Sequence, residues 1–184
     1  MTAATSGSGR SFDSSFRDEH VLSDGARIFL KTLQPEDKDG LLSGFQRMSE
    51  ASRYSRFFSH KGSLTGRELR YFTETDGENP FALAAGCWLS DGQEEGIGTA
   101  RFVRLVDDPG AAEPAVTIVD EWQGRGVGRI LFDHLVAAAK ERDVERFECT
   151  VMAENKAMLR LLRSYPGESS KWDGDAIHVT LDLT

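Results

Sequence analysis

The residues best suited to chemistry lie in a glycine-rich stretch, QGRGVGR, which runs from Gln123 to Arg129. It follows a short apolar run and precedes a segment whose apolar residues recur at helical spacing. A glycine-rich turn that leads into a helix presents unpaired backbone N–H groups in one direction, at the positive end of the helix dipole. Such an arrangement binds anions, phosphate above all. The sequence therefore predicts a phosphate site at residues 123–129.

The glycines and the arginines of this turn are expected to have different functions. Gly124, Gly126 and Gly128 permit positive φ angles and the close approach of a pyrophosphate, which a Cβ atom would obstruct. Arg125 and Arg129 add positive charge beside the amides. A P-loop would end in Gly-Lys-Ser or Gly-Lys-Thr, and a dinucleotide fingerprint would read G-x-G-x-x-G, so both of these nucleotide-binding motifs fit less well. An ordinary strand-to-helix connection is the other interpretation of this spacing.

A carboxylate, Glu113, stands upstream of the turn, where a loop meets the apolar run Ala115 to Val119. The next residue, Pro114, has no N–H to donate to a β-ladder, so we expect a strand end, an edge or a bulge at this point. A carboxylate held beside a pocket can act as a general base. The alternative is a solvated loop carboxylate without a chemical role.

The elements around these residues follow from periodicity and turn signals. Strands are predicted at 26–33, 81–89, 96–105, 115–119, 147–151 and 176–183, and helices at 35–48, 49–58, 66–73, 127–142 and from 155 to about 165. The order strand, glycine turn, helix, strand predicts a parallel strand pair with a right-handed crossover. In the second helix Arg53 and Arg56 alternate with aromatic residues, and we expect packing plus surface charge there, with a binding surface as the alternative.

Length and composition limit the possible classes of protein. The chain of 184 residues is 39% apolar and 28% charged, which is typical of a single soluble domain. We expect residues 1–16 to form a disordered tail and residues 17–184 to form that domain. The first sixteen residues lack the apolar core of a secretory signal, and no segment reaches the roughly 18 apolar residues of a membrane span, so a cytoplasmic protein is expected. Cys87 and Cys149 lie in apolar strand-like runs and are then expected to be buried reduced thiols, with a disulfide or a catalytic thiol as the alternative.

The net charge and the positions of the histidines limit the molecules and metal ions that the protein is expected to bind. A net charge of −8 argues against a nucleic-acid-binding protein and favours cationic partners such as amines. The four histidines, at positions 20, 60, 134 and 178, show no ligand spacing, and the sequence contains no cluster of Cys and His residues. The sequence therefore predicts no metal site.

Residues 113–129 resemble motif A of the GNAT family of N-acetyltransferases, whose pattern Q/R-x-x-G-x-G/A is filled by Gln123, Gly126 and Gly128. The resemblance covers roughly residues 20–184. It is strongest to bacterial protein-lysine acetyltransferases, which carry AE-x-AV-x-x-x-D-x-WQGRG-x-G, here Ala112 to Gly128, and a segment like AENKAML, here Ala153 to Leu159. It implies an α/β fold with a mixed, mostly antiparallel sheet flanked by helices. In that fold the parallel strands 115–119 and 147–151 splay apart to form a cleft for acetyl-CoA.

The resemblance also implies functions for individual residues. Glu113 matches the general base for transfer of an acetyl group from acetyl-CoA to a primary amine, with a protein lysine as the favoured acceptor. Asn155 matches the position that contacts the cofactor arm, although it is also a suitable helix N-cap. Backbone groups of Ile118 and Val119 would bind the pantetheine arm, and the Val119 N–H would polarise the thioester carbonyl. The amides that would hold the pyrophosphate belong to Gln123, Gly124, Arg125, Gly126, Val127, Gly128 and Arg129.

Two departures from the family pattern concern the end of the chain. Leu162 occupies the position where many members have a tyrosine that protonates the leaving thiolate, and Tyr165 lies too far around the helix to replace it. Pro166-Gly167 replaces the usual Gly-Phe. Besides a protein lysine, the acceptor could be a small amine such as an amino acid, a polyamine or an aminoglycoside. A non-catalytic acyl-CoA-binding regulatory module is the alternative from another class.

Overall fold

The computed structural model describes residues 10–184, in which eight strands form one sheet of order β1-β2-β3-β4-β5-β6-β8-β7. The strands are β1 (Arg17–Val21), β2 (Arg27–Thr32), β3 (Phe81–Trp88), β4 (Glu94–Arg104), β5 (Ala111–Ile118), β6 (Arg146–Met152), β7 (Glu168–Asp173) and β8 (Ala176–Asp182). The helices are α1 (Lys38–Gln46), α2 (Glu50–Phe57), α3 (Gly66–Thr73), α4 (Val127–Lys140) and α5 (Lys156–Leu162). Every pair of neighbouring strands is antiparallel except β5 and β6. The predicted mixed, mostly antiparallel α/β fold is confirmed.

The main core lies between the sheet and α4. Leu131, Phe132 and Leu135 of α4 are completely buried, as the helical spacing predicted. Phe132 packs against Phe147 of β6 with ring centroids 5.8 Å apart, and Phe147 in turn packs against Phe102 of β4 at 6.0 Å. Burial of such side chains stabilises each by roughly 1.5–3 kcal/mol relative to exposure. This core fixes the start of α4, and with it the glycine turn, relative to β5.

Helix α1 packs on the other face of the sheet through glycines. A Cβ added to Gly96 of β4 would lie only 3.3 Å from the carbonyl oxygen of Gly40, so the helix backbone rests directly on the strand. A β-bulge accompanies this contact, because the β3–β4 register shifts between Ala85 and Gly86 and leaves Ile97 without an opposite residue. The glycines on both elements therefore permit this close approach of α1 to the sheet.

Strands β5 and β6 separate almost as soon as they meet. They pair only at Ala111 with Arg146 and at Ala112 with Phe147. The Ala111 carbonyl accepts from the Leu105 N–H at 2.9 Å and the Val119 N–H donates to the Ile97 carbonyl at 3.0 Å, so the odd-numbered residues of β5 bond to the β4 side. Even-numbered residues therefore turn their N–H groups towards β6.

Pro114 explains why the β5–β6 ladder stops. It is an even-numbered residue without an N–H, so it cannot extend the ladder towards β6. On the β4 side its register with Phe102 is regular. At Pro114 we expected a strand end, an edge or a bulge. The edge is confirmed, because β5 continues past Pro114 to Ile118 and its register with β4 shows no bulge. The splay between β5 and β6 is confirmed.

Two strands and one boundary were not predicted correctly. Strand β1 (RDEHV) and strand β7 (ESSKWD) are polar and exposed, so they lack the apolar alternation that indicates a strand. Residues 10–16, which we placed in a tail, pack on the domain. Phe12 is only 7% exposed, and its carbonyl accepts from Arg142 Nη2 at 2.7 Å. Residues 1–9 of the predicted tail lie outside the described residues. No helix within residues 10–184 combines the length and apolar composition that crossing a membrane requires.

Candidate acetyl-transfer site

The glycine turn has the backbone geometry that an anion cradle needs. Gly124 and Gly126 have φ angles of +72° and +92°, and α4 begins directly after Gly126. Nothing lies within 4 Å of a Cβ added to either glycine, so the requirement for glycine there is conformational. In the described part of the chain, no protein acceptor is bonded to the N–H groups of residues 124–128. These amides are available to a bound anion at the positive end of α4.

The two arginines of the turn are bonded to protein groups. Arg125 Nε donates to Asp24 Oδ2 at 2.8 Å, and its guanidinium lies 4.0 Å from the centre of the Trp122 ring. Arg129 Nε lies 3.0 Å from Asp133, and its Nη1 donates to Ser164 Oγ at 2.6 Å. An anion bound at this turn would therefore meet mainly backbone amides, while the arginine side chains brace the turn and are each paired with an aspartate.

The prediction that the Val119 N–H polarises the thioester carbonyl is wrong. That group donates to Ile97 O at 3.0 Å, and Val119 O accepts from the Trp122 N–H at 2.9 Å, so both backbone groups are already bonded. The alternation along β5 instead directs the N–H groups of Val116 and Ile118 into the space between the splayed strands. The error is one residue of register, which decides the direction of every backbone group in a strand.

Asp120 joins α2 to the glycine turn, a function that sequence reasoning missed. Its carboxylate accepts from the Ser49 N–H and the Ser52 hydroxyl at the start of α2, and from Gln123 Nε2 at 3.0 Å. Burial alone would raise the pKa of Asp120, but these hydrogen bonds lower it on balance. Gln123 also donates to Ile118 O at 3.1 Å. The motif glutamine thus ties the end of β5 to α2.

Asn155 lies at the start of α5, beyond the end of β6. Its Oδ1 accepts from the Met158 N–H at 3.1 Å, so the helix-cap interpretation is confirmed. Among residues 10–184 its amide nitrogen has no protein acceptor. Contact with the cofactor arm stays a prediction.

Glu113 is the first residue of β5 beyond the last pair with β6. Its side chain is exposed and belongs to the sheet face that α1, α2 and α3 cover, since residues of like parity, such as Thr117, line the cavity under α1. Its carboxylate interacts electrostatically with Arg56 of α2 and with the thiol of Cys149 of β6. The structure thus places an accessible carboxylate at the point where the cleft opens.

Cys149, the nearest nucleophilic side chain, is unsuited to attack. Burial, together with the negative charge of Glu113, raises the pKa of its thiol to about 12. Cys87 is buried, and burial raises the pKa of its thiol as well. Both thiols are therefore protonated at neutral pH.

We predict that Cys149→Ser leaves the initial rate of CoA release with an amine acceptor unchanged. The hydroxyl preserves the size of the side chain but, without an activating base, is a far weaker nucleophile than a thiolate. Thiol-sensitive colorimetry of released CoA measures the rate. Loss of most turnover at an unchanged melting temperature would place the thiol in the reaction.

The structure shows where Leu162 and Tyr165 lie, and so whether Tyr165 could protonate the leaving thiolate. Leu162 is completely buried in the core. The Tyr165 hydroxyl donates a hydrogen bond to Asp133 of α4, and the Arg129 guanidinium lies 4.5 Å from the centre of the Tyr165 ring. Burial and the Asp133 carboxylate raise the pKa of Tyr165 well above its usual value. Its proton is held at α4, in agreement with our not giving it the acid role.

Folding brings together two histidines that showed no ligand spacing in the sequence. Asp18 Oδ2 lies 3.1 Å from His20 Nε2 and 3.2 Å from His134 Nε2. Burial alone would raise the pKa of Asp18, but the hydrogen bond from His134 and the charges of the two histidines lower it on balance. The cluster joins β1 to α4, the helix that follows the glycine turn. Asp18 accepts a hydrogen bond from His134, whereas His20 Nε2 is buried beside the carboxylate without a hydrogen bond of its own.

Comparisons with known proteins agree with this geometry. The family model of the Acetyltransferase (GNAT) family matches residues 49–165. Acetyltransferase Pat of Mycolicibacterium smegmatis is 32% identical over 140 residues, which make up 75% of this chain and 40% of that protein. This chain therefore spans less than half the length of that relative.

Solved structures give the same result. The GNAT domain of PAT from S. lividans superposes with a TM-score of 0.80 at 28% identity, covering 90% of this chain and 96% of that domain. YncA from Salmonella typhimurium, solved with its cofactor acetyl-CoA, has the same fold, with a TM-score of 0.68 at 16% identity, over 85% of this chain and 94% of that one. On the family model, the sequence relatives and the shared splayed-strand fold, the chain belongs to the GNAT family of acetyltransferases.

Proposed function

We propose that the protein transfers the acetyl group of acetyl-CoA to a primary amine, with a protein lysine as the favoured acceptor and Glu113 as the general base. The observation that carries the proposal is the arrangement along β5. Free amides of residues 124–128 follow one end of the strand, and Glu113 lies near the other end, where β6 has already separated. About 17 Å of strand separates Glu113 from Ile118.

The residues present fit acetyl-CoA. Backbone amides of residues 124–128 would bind the pyrophosphate at the start of α4. The N–H groups of Val116 and Ile118 would pair with the pantetheine arm as an additional strand pairs with a sheet edge. The bound co-substrate supplies the activated acetyl group as a thioester. The N–H donors of β5 would polarise its carbonyl, as donors do in an oxyanion hole.

The acceptor requires a proton acceptor because a lysine amine has a pKa near 10.4 and is mostly protonated at neutral pH. Glu113 would take this proton directly or through one water molecule, so that the neutral amine attacks the thioester carbonyl. The new C–N bond would replace the C–S bond, and CoA would leave as a thiolate that takes a proton from water. Transfer is direct in this proposal, since neither cysteine thiol is ionised at neutral pH. Much of the remaining rate advantage comes from holding the two reactants in one orientation.

A protein lysine is favoured because Ala112–Gly128 and Ala153–Leu159 resemble the corresponding segments of bacterial protein-lysine acetyltransferases. The net charge of −8 supports a cationic acceptor but does not distinguish a protein from a small amine. The acceptor class is therefore the part of the proposal that most needs direct measurement.

The test combines binding and transfer. We expect calorimetry to show CoA binding, and mass spectrometry to show acetyl-CoA-dependent acetylation of lysines in an extract incubated with the protein. Small amines assayed in parallel by CoA release identify a small-molecule acceptor if they are faster. Binding of CoA without transfer to any amine or protein would contradict the proposal and support a regulatory module.

A further inference from the structure

Two arginines near Glu113, one buried and one half-buried, form no salt bridge within the described residues. Arg101 of β4 is 7% exposed, and its Nη1 and Nη2 atoms are inaccessible to solvent and have no hydrogen-bond partner. Arg56 of α2 is half-buried. Among residues 10–184, no carboxylate forms a salt bridge with either guanidinium. A charge buried without a partner costs several kcal/mol, so a protein rarely contains one unless something binds it.

The groups that do surround Arg101 are aromatic. Its guanidinium lies 4.7 Å from the centre of the Tyr71 ring and 5.2 Å from that of Phe72, both on α3. Cation–π contacts of this kind replace only part of the lost hydration. Tyr71 is 56% exposed, so it covers the guanidinium as a surface side chain. Burial lowers the pKa of Arg101 and of Arg56, and the positive charge of Arg101 lowers that of Arg56 further. The Tyr71 side chain partly offsets the effect at Arg101, and the Glu113 carboxylate partly offsets it at Arg56.

Both arginines line a cavity of about 250 Å³ between the sheet and the helices α1 to α3. One side of the cavity is bounded by Gly40 and Gly44 of α1 and Gly96 of β4, where the helix backbone rests on the strand. Most of its remaining lining is apolar, with Phe57 and Phe72 at the helices, and Lys31, Glu36, Asp37 and Glu94 are the other charged residues that line it. An apolar cavity with a few convergent polar groups is the usual form of a small-ligand site.

The cavity begins next to the proposed general base. Arg101 lies opposite Ala115 in the β4–β5 register, and Glu113 lies opposite Val103, so Arg101 and Glu113 are diagonal neighbours on one sheet face. Such neighbours are about 7–8 Å apart at their Cα atoms. A molecule whose amine meets Glu113 can therefore place a second group at Arg101.

We propose that Arg101 and Arg56 bind a carboxylate of the acetyl acceptor, so that the preferred acceptor carries a carboxylate near its amine. This inference rests on the proposed function and specifies the acceptor of the same site. The carboxylate supplies the directly bonded anionic partner that both guanidiniums lack, and Arg101 can bind it with two parallel hydrogen bonds. The group belongs either to a free amino acid or to an acidic residue beside the lysine of a peptide, and the chemistry of recognition is the same in both.

The experiment uses matched acceptors that differ only in the carboxylate. Initial rates of CoA release are compared for L-lysine against cadaverine, and for the capped peptide Lys-Glu against Lys-Gln. We expect kcat/KM to be at least about tenfold higher for one carboxylate-bearing member, because a hydrogen bond to a charged group contributes about 1.5–3 kcal/mol. Preference within the first pair identifies a free amino acid, and preference within the second identifies a peptide.

Arg101→Met tests the assigned residue. We expect this variant to lose the preference, and to melt at a higher temperature than the wild type without ligand, since an apolar side chain replaces an unpaired buried charge. Glutarate, a dicarboxylate probe, should raise the melting temperature of the wild type but not of the variant. Arg70→Met, which removes an exposed charge from the same α3 region, is the matched control and should keep the preference.

Three results would contradict the acceptor proposal or the proposed function, each in a different way. Equal rates within both pairs would overturn the proposal and leave the acetyltransferase function standing. A lower melting temperature of Arg101→Met with an unchanged preference would make Arg101 a structural residue. If the wild type transfers to no amine, the proposed function fails, and the melting response to glutarate still decides whether the arginines bind a carboxylate.

Discussion

Replacing Glu113 with glutamine is expected to lower kcat/KM for acetyl transfer to an amine at neutral pH by about 10²- to 10⁴-fold, the usual contribution of a general base. Glutamine has the same shape but cannot accept the proton of the ammonium group. Glu113 is exposed and forms no salt bridge in the described part of the chain, so the substitution should not alter the fold. The loss should therefore appear in turnover while CoA binding stays as in the wild type.

The pH dependence distinguishes a base from a residue that only positions the acceptor. As the pH approaches about 10, a lysine-type amine loses its proton to the solvent, and the need for Glu113 decreases. The deficit of Glu113→Gln should shrink over this range, whereas a positioning defect would stay constant. Asp39→Asn, which changes an exposed carboxylate on α1, is the control and should show no deficit. Wild-type turnover by Glu113→Gln at neutral pH would remove this residue from the mechanism.

Local patterns predicted the parts of the site that depend on local geometry. Gly124 and Gly126 have the positive φ angles expected from a glycine-rich turn, and α3 begins at Gly66 after its Thr65 cap. Each of these features is determined by a few neighbouring residues, because turns and caps satisfy backbone groups within the same segment. The family resemblance then correctly indicated the parallel pair that opens the cleft.

The unpredicted features depend on contacts between distant segments. Arg101 lies in an apolar run that reads as an ordinary strand, and only the packing of α3 over β4 shows that its charge is buried. An arginine at an inward-facing strand position was the available signal, and it requires knowledge of which face is covered. Asp120 likewise gains its function from Ser49 and Ser52, which are remote in sequence.

The Val119 error shows how register limits such predictions. Sequence reasoning located β5 to within a few residues, but the direction of each N–H group alternates along the strand. The bonds that join Val119 to Ile97 and Leu105 to Ala111 show which residues face β4. Pro114 alone predicts where β5 and β6 separate, because its missing N–H on the β6 side ends the ladder between them.

Gly126→Ala is expected to weaken CoA binding by about 100-fold, since realigning the turn would lose at least one or two charge-assisted hydrogen bonds of about 1.5–3 kcal/mol each. At φ +92° an alanine is strained, because an L-residue in left-handed conformation costs roughly 1–2 kcal/mol. The strain can be relieved only by rotating the turn, which would point the amides of residues 124–128 away from the pyrophosphate. Calorimetric titration with CoA measures the affinity.

Gly92→Ala separates the effect on the cradle from the effect on folding. Gly92 lies in the β3–β4 turn at φ +83°, and, as at Gly126, nothing lies within 4 Å of an added Cβ. Both variants should therefore lose a similar part of the free energy of unfolding in urea titrations. Only Gly126→Ala should lose affinity for CoA. If both variants bind CoA as the wild type does, the amides at the start of α4 do not hold the pyrophosphate, and the binding site must lie elsewhere along the β5–β6 cleft.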